Sequence, residues 1–276
     1  MIVSLLFSLA LVGNTPASPL ARAQPRVLIL GYHEVEPEGI PPHETIPRGS
    51  AVAYTPDEMV RYTISTDEFR RQLDALTIHG YSVISLLDLH DYLQGLIPSI
   101  PSRSVVITAD DGWRSAKSFM QPELQRRGHP FTVFVYPRVV ERHFRHPFNL
   151  TWKEIEDLSR EGVDIQSHSF SHPSLSRARH PEMNDGQYAS WLAEEMCQSR
   201  ELIQSHTGRE VPFLAYPFGD YDDSVIAAAK AAGYVAAVTV RPAMVRKGTD
   251  LMTLPRFLVI HDTTIAEFES WLETAR

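Results

Sequence analysis

The sequence predicts a parallel α/β fold closed into a (β/α) barrel. Three observations carry this expectation. Strand-then-helix punctuation repeats over about 250 residues, roughly eight segments read as strands, and no G-x-G-x-x-G follows the first of them. At 276 residues the chain suits one large domain or two small ones, and no stretch reads as an interdomain linker.

Residues 26–30, RVLIL, are the first strand, stopped at Gly31. In STDEFRRQLDALTIHG, Ser65 and Glu68 make a capping box, Phe69, Leu73 and Leu76 form one apolar stripe, and Gly80 ends the helix. YSVIS and SVVIT are strands, the latter β-branched and continuing toward Asp110 and Asp111. A helix is expected over 114–127 before Gly128, then the strand FTVFVY, the short helix TWKEIEDLSREG and the strand VDIQS. A longer helix runs over 188–206, followed by VPFLAY as strand, DSVIAAAKAAG as helix and YVAAVTV as strand. RFLVI and TIAEFESWL close the chain as strand and helix. The one long irregular stretch, 36–62, carries Pro37, Pro41, Pro42, Pro47 and Pro56, and loops of that length in compact domains are usually functional or mobile.

A net charge of −8 without any Lys/Arg-rich block excludes a nucleic-acid groove and disfavours a strongly anionic polymer as substrate. The apolar run IVSLLFSLALVG is short for a membrane span, and Ala21-Arg22-Ala23 fits an A-x-A cleavage site. Residues 1–23 therefore read as a signal peptide with maturation at Gln24, although no Lys or Arg precedes the apolar run. The competing readings are a buried N-terminal helix and an uncleaved anchor. Export places the protein in the periplasm or outside the cell, with no integral membrane domain. The single Cys197 permits no internal disulfide and reads as a buried, inert thiol. Nothing in the sequence sets an oligomeric state.

In parallel α/β folds chemistry gathers at the carboxyl ends of the strands. Standing there are His33 and Glu34, Asp110 and Asp111, Tyr136, His168 and His172, Tyr216-Pro217-Phe218, and His261-Asp262. Two imidazoles four residues apart plus one carboxylate are a donor set for a catalytic divalent metal with open positions. Asp110 or Asp111 supplies that carboxylate, and the other acid stands beside it to take a proton. No G-x-S-x-G elbow and no P-loop competes.

TADDG followed by SHSFSHPSL resembles the NodB-homology polysaccharide deacetylases, carbohydrate esterase family 4, whose pattern is T-F-D-D-G and then H-[ST]-x-x-H-P. With GYHEV at the front and LPRFLVIHDTTIAEFESWL at the end, the resemblance extends over 27–272 and is strongest to the poly-β-1,6-N-acetylglucosamine deacetylases. It implies a distorted (β/α)7-type barrel in one domain, 24–276, and hydrolysis of N-acetyl groups on an amino-sugar polymer. It also implies Asp110 as general base and Asp111, His168 and His172 as ligands of one divalent metal, commonly zinc, with cobalt, nickel or iron(II) as alternatives. The backbone of Phe218 becomes the oxyanion donor and His261, from Val259-Ile260-His261, the general acid. The alternatives are an O-acetyl esterase acting on a neutral polymer such as xylan, and a carbohydrate-binding protein without turnover.

The sequence departs from the family pattern in three places, one being Val259-Ile260-His261, a near match to the usual Leu-x-His. Ala109 replaces the Phe before the acid pair, which is expected to loosen the pocket wall. The third motif reads Ala215-Tyr216-Pro217-Phe218 and lacks its arginine. Arg256, five residues before His261, is the favoured substitute for orienting Asp110, ahead of Tyr216 and Arg114. Trp113, Tyr136, Tyr216, Pro217 and His33 are the candidate substrate contacts. Trp152 is a further surface for a sugar ring, and His33 serves equally well as a structural hydrogen-bonding group.

Overall fold

A computed structural model describes residues 24–37, 60–141 and 148–274. The expected signal peptide and most of the proline-rich stretch lie outside the described residues.

Seven parallel strands follow one another around the sheet. In spatial order they are β10 (Phe257–Leu258), β1 (Arg26–Tyr32), β5 (Arg103–Ala109), β6 (Thr132–Val135), β7 (Asp164–Ser167), β8 (Phe213–Ala215) and β9 (Ala236–Val238). A short β4 (Ser82–Val83) pairs with the start of β5, and β2 (Glu34–Glu36) pairs with β3 (Thr63–Ser65) in a separate ribbon. The segment that ends in β10 joins the two sides of the sheet. Leu254 bridges Val238 in parallel register, while Phe257 and Leu258 pair with Leu30 and Gly31. One stretch of five residues thus closes the ring.

Strand alternation separates two cores. Val27, Ile29, Val106, Phe134, Phe213, Ala215, Ala236, Val238 and Leu254 form one buried cluster, enclosed by the strands. Leu28, Leu30, Val105, Ile107, Val133, Val135, Leu214 and Ala237 belong to the other, shared with the helices. The period of two then fixes the site. Gly31 and His33 follow Ile29 on the inner face, Thr108 and Asp110 follow Val106, and His168 follows Gln166. Ala109 falls on the outward face in the helix-side core, so its small side chain does not loosen the pocket wall.

The helices bear their signals. α1 (Thr66–Ile78) starts where Ser65 Oγ accepts from the Glu68 amide, and Gly80 follows with φ +70. The sequence reading left out α2 (Leu86–Gln94), although Ser85 and Asp88 make a full capping box and Gly95 ends the helix in the left-handed region. The helix expected over 114–127 is a π-turn over 116–120 running into α3 (Gln121–Arg126). Pro122 has no N–H for the Ser118 carbonyl, and the wider turn accommodates it. α4 (Pro137–Val140), α5 (Trp152–Arg160), α6 (Asp185–Thr207), α7 (Asp223–Ala231) and α8 (Ile265–Thr274) complete the outer layer. Cys197, on α6, is half-buried rather than buried.

Arg256 lies fully buried inside the ring, with its guanidinium 5.9 Å from the Phe134 ring centre. Gly31 makes room for it. A Cβ there would sit 2.7 Å from Leu258 Cδ2 and 3.1 Å from both Cδ and Nε of Arg256. Gly31→Ala is therefore expected to overpack the interior and lower stability by about 1–3 kcal/mol, read as an earlier urea midpoint at unchanged slope. An unshifted midpoint would show that Arg256 has slack.

Candidate active site

β5 ends by delivering two acids to different places. Asp110 continues the strand, its amide bonded to the Tyr32 carbonyl at 2.9 Å, and faces inward. Asp111 turns away in the left-handed region, φ +69, followed by Gly112 at φ +64. The turn is held from the side: Asn149 Nδ2 donates to the Asp111 carbonyl at 3.2 Å and the Leu150 amide to that of Gly112 at 2.8 Å. A side chain at 112 would also press on Val135 Cγ1 at 3.0 Å, so glycine is required on two counts.

His168 leaves β7 pointing inward. Its Nδ1 is 2.7 Å from the Ala215 carbonyl, which fixes it as the protonated nitrogen and leaves Nε2 as the donor atom. His172 follows one loop later at φ +59. Asp111 Oδ1 stands 3.5 Å from His168 Nε2 and 3.3 Å from His172 Nε2. Ligands at zinc-type bond lengths in a tetrahedron lie about 3.3 Å apart, so this buried set has the spacing of a metal site. Trp113 Nε1 donates to the second oxygen of Asp111 at 3.3 Å.

Asp110 is gripped from below by the barrel-closing strand. Arg256 Nη1 and Nη2 donate to its two oxygens at 2.7 and 2.6 Å. Nη1 also donates to Thr108 Oγ1 at 3.0 Å, and Nε donates to the Thr239 carbonyl at 3.1 Å. Burial alone would raise the Asp110 carboxyl. The Arg256 charge, assisted by His168, outweighs burial and holds it well below the usual carboxylate range.

These groups open on a cavity of about 90 Å³, bounded by Asp110, His168, His172, His33, Tyr62, Tyr216, Phe218, Val240 and Leu258. His33 Nδ1 and the Tyr216 hydroxyl are buried there without hydrogen-bond partners among the described residues. His33 Nε2 faces Asp111 Oδ2 at 3.9 Å, and Tyr62 lies over the His33 ring at 4.5 Å between centres. Phe218, at φ +58 and half-exposed, sets its ring against His172 at the mouth.

Not every residue singled out in the sequence converges here. His261 lines a different hollow with Ser65, Glu68 and Asp262, and its Nδ1 lies 3.1 Å from the Thr63 carbonyl. The strand before it ends at Leu258, so its side chain is not carried inward. Trp113 is buried against Asp111 and offers no face to a sugar. Tyr136 and Pro217 are buried, Tyr136 with its ring 5.0 Å from that of His172. Trp152 stacks on His206 at the helix layer. Tyr62, Val240 and Leu258 were not anticipated. Val240 was legible as the next inward position after Val238, whereas Tyr62 follows an irregular stretch with no period to read.

A parallel barrel carrying a carboxylate and two imidazoles beside a second, ionised carboxylate defines a hydrolase-type site. The chain belongs to the polysaccharide deacetylase family, whose model matches residues 99–237, half of its length. It is 24% identical over 216 residues to the poly-beta-1,6-N-acetyl-D-glucosamine N-deacetylase of Staphylococcus epidermidis, covering 78% of this chain and 74% of that protein. The fold is shared with a de-N-acetylase of Aggregatibacter actinomycetemcomitans, at TM-score 0.73 and 20% identity over 89% of this chain and 99% of that one. IcaB of Ammonifex degensii shares it at TM-score 0.71 and 24% identity, over 90% and 97% of the two chains.

Burial lowers both His168 and His172 to about 4, against a partial counter-pull from Asp110, so both rings are neutral and ready to ligate near neutrality. Their ordinary value is about 6.5. Between about pH 4 and 6.5 the unfolded chain holds more protons at these positions than the folded one, so stability rises with pH across that window. The melting temperature of metal-free protein is expected to climb over this range, and His172→Asn to flatten the climb. An unchanged slope in that variant would mean that the imidazole is not buried neutral.

Proposed function

We propose that this protein is a metal-dependent N-deacetylase of an exported amino-sugar polymer, poly-β-1,6-N-acetylglucosamine or a similar exopolysaccharide. The observation that carries the proposal is the pairing of Asp110 with Arg256, which keeps a buried carboxylate ionised beside a separate donor set. A binding protein has no use for a desolvated base in that position. The activities named for the relatives supply the substrate class.

Zinc suits Asp111, His168 and His172 best, since two imidazoles and a carboxylate at tetrahedral spacing are its ordinary ligands; cobalt, nickel and iron(II) accept the same donors. When bound, such an ion supplies a Lewis acid for the amide carbonyl and lowers the pKa of the attacking water. Asp110 takes the proton of that water. The Phe218 backbone amide faces the developing oxyanion. We assign delivery of a proton to the leaving amine to His33 instead of His261, because His33 lines the cavity beside Asp110, His168 and His172 whereas His261 lines another hollow.

Among the described residues no helix is long and apolar enough to cross a membrane. Export rests on the sequence of residues 1–23 and on the extracellular nature of such polymers. Mature protein from the native host, a single deacetylase domain over 24–276, is expected to begin at Gln24 by intact mass. A chain retaining Met1 in the cytosol would overturn this.

Acetate release from N- and O-acetylated oligosaccharides by zinc-loaded protein tests the activity and separates amide from ester hydrolysis. Asp110→Asn is expected to retain metal and lose about 10²–10⁴ in rate. His33→Gln should lose rate as well, while His261→Gln stays near wild type. The reverse order for the two histidines would return the acid role to His261.

A further inference from the structure

The loop between the two histidine ligands is organised by a residue outside the site. Glu195, on α6 and only 5% exposed, reaches under this loop. One of its oxygens, Oε2, accepts from the Phe170 amide at 3.1 Å and the Ser171 amide at 2.9 Å. The other, Oε1, accepts from Ser171 Oγ at 2.5 Å. Consecutive amides that converge on one anion, next to a left-handed residue, form an anion-binding nest, and here the anion is the protein's own. Ser169 is that left-handed residue, at φ +62. His172, itself left-handed, closes the turn by donating its amide to Ser169 Oγ at 3.1 Å.

We infer that Glu195 is a positioning residue that sets the separation and angle of His168 and His172 for a divalent cation. Its hydrogen bonds run to the Phe170 and Ser171 amides and the Ser171 hydroxyl, so it acts through the loop. It holds the three residues between the two histidines, of which Ser169 is in the left-handed region that non-glycine residues rarely adopt. α6 holds the preceding strand as well: four residues on from Glu195, the Ser199 hydroxyl is 2.7 Å from that of Ser167. The two contacts lie on one face of the helix, one turn apart. The Ser199 contact secures the strand, and the Glu195 contact secures the loop that follows it. Partners of this kind outside the ligand set typically change metal affinity about 10–100-fold.

The inference rests on Asp111, His168 and His172 being metal ligands, which a titration of metal-free wild-type protein with zinc, and with cobalt for its absorption spectrum, tests independently. Under the same titration Glu195→Ala should bind zinc about 10–100-fold more weakly and with altered cobalt bands. Glu195→Gln keeps one acceptor oxygen, so it should fall between wild type and Ala; it carries the test should the Ala variant fail to fold. Ser199→Ala is the structural comparison, with a lower melting temperature when metal-free but unchanged zinc affinity and cobalt spectrum. Wild-type zinc affinity in a folded Glu195 variant would overturn the positioning role while leaving the ligand assignment intact. Failure of wild type to bind zinc or cobalt would instead remove the ligand assignment and this inference together.

Discussion

The site depends on one buried ion pair, Arg256 with Asp110. Both partners are desolvated, which is costly unless every donor and acceptor is matched. Here Arg256 is bound on all its nitrogens: two bonds to the carboxylate, one to Thr108 and one to the Thr239 carbonyl. The matching requires three strands at once, since Thr108 and Asp110 come from β5 and its edge, Thr239 follows β9, and Arg256 enters on the strand that closes the ring. Barrel closure and ionisation of the acid are therefore the same event. A chain that failed to dock its last strand would leave Asp110 buried without a cation, and an acid in that state protonates rather than acts as a base.

Around this pair the backbone holds an unusual conformation wherever a functional group must be aimed. Among the described residues four non-glycine positions have positive φ, namely Asp111, Ser169, His172 and Phe218, and all belong to the site or to its ligand loop. Each such position costs about 1–3 kcal/mol and persists only where neighbours over-determine it. At Asp111 the neighbours are Asn149 and Leu150. At Phe218 the Gly219 amide bonds back to the Tyr216 carbonyl at 2.8 Å, while Gly219 admits the close approach of Val240. The rigid outer layer thus supplies the energy that keeps the inner residues aimed.

Much of this was legible in the sequence, for identifiable reasons. The acids at the end of VVIT and the pair of histidines after VDIQS are local: a strand of known direction and a period of two place them without reference to distant contacts. Arg256 was reachable through the resemblance, because the third motif lacked its arginine and Arg256 stands in the closing LPRFLVI stretch that the resemblance covers. His261 misled because it sits in a motif, yet the strand carrying it stops at Leu258 and the turn leaves the ring at 261 outside. α2 was hidden by its brevity even though its caps were visible. Glu195 had no signal of its own, since a glutamate in mid-helix reads as solvated until a loop from 24 residues earlier is folded beneath it.

The dimensions of the cavity separate two tasks that the sequence runs together. The polar groups line a cavity of about 90 Å³, and an exposed aromatic stands at its mouth. Inside, the groups present are the ionised Asp110 carboxylate, the Asp111, His168 and His172 set, and polar atoms of His33 and Tyr216 that have no partner among the described residues. At the mouth stands Phe218, half-exposed, its backbone constrained by the turn and its ring braced on His172. An aromatic held in that way presents a fixed apolar face at low entropic cost, which is what a sugar's C–H surface requires. The same residue thus joins rim and interior, its backbone held in the left-handed region and its ring set against His172. The interior, locked by Arg256 and by strained turns, has little freedom to vary without losing the ionised acid, a constraint that the exposed ring at the rim does not share.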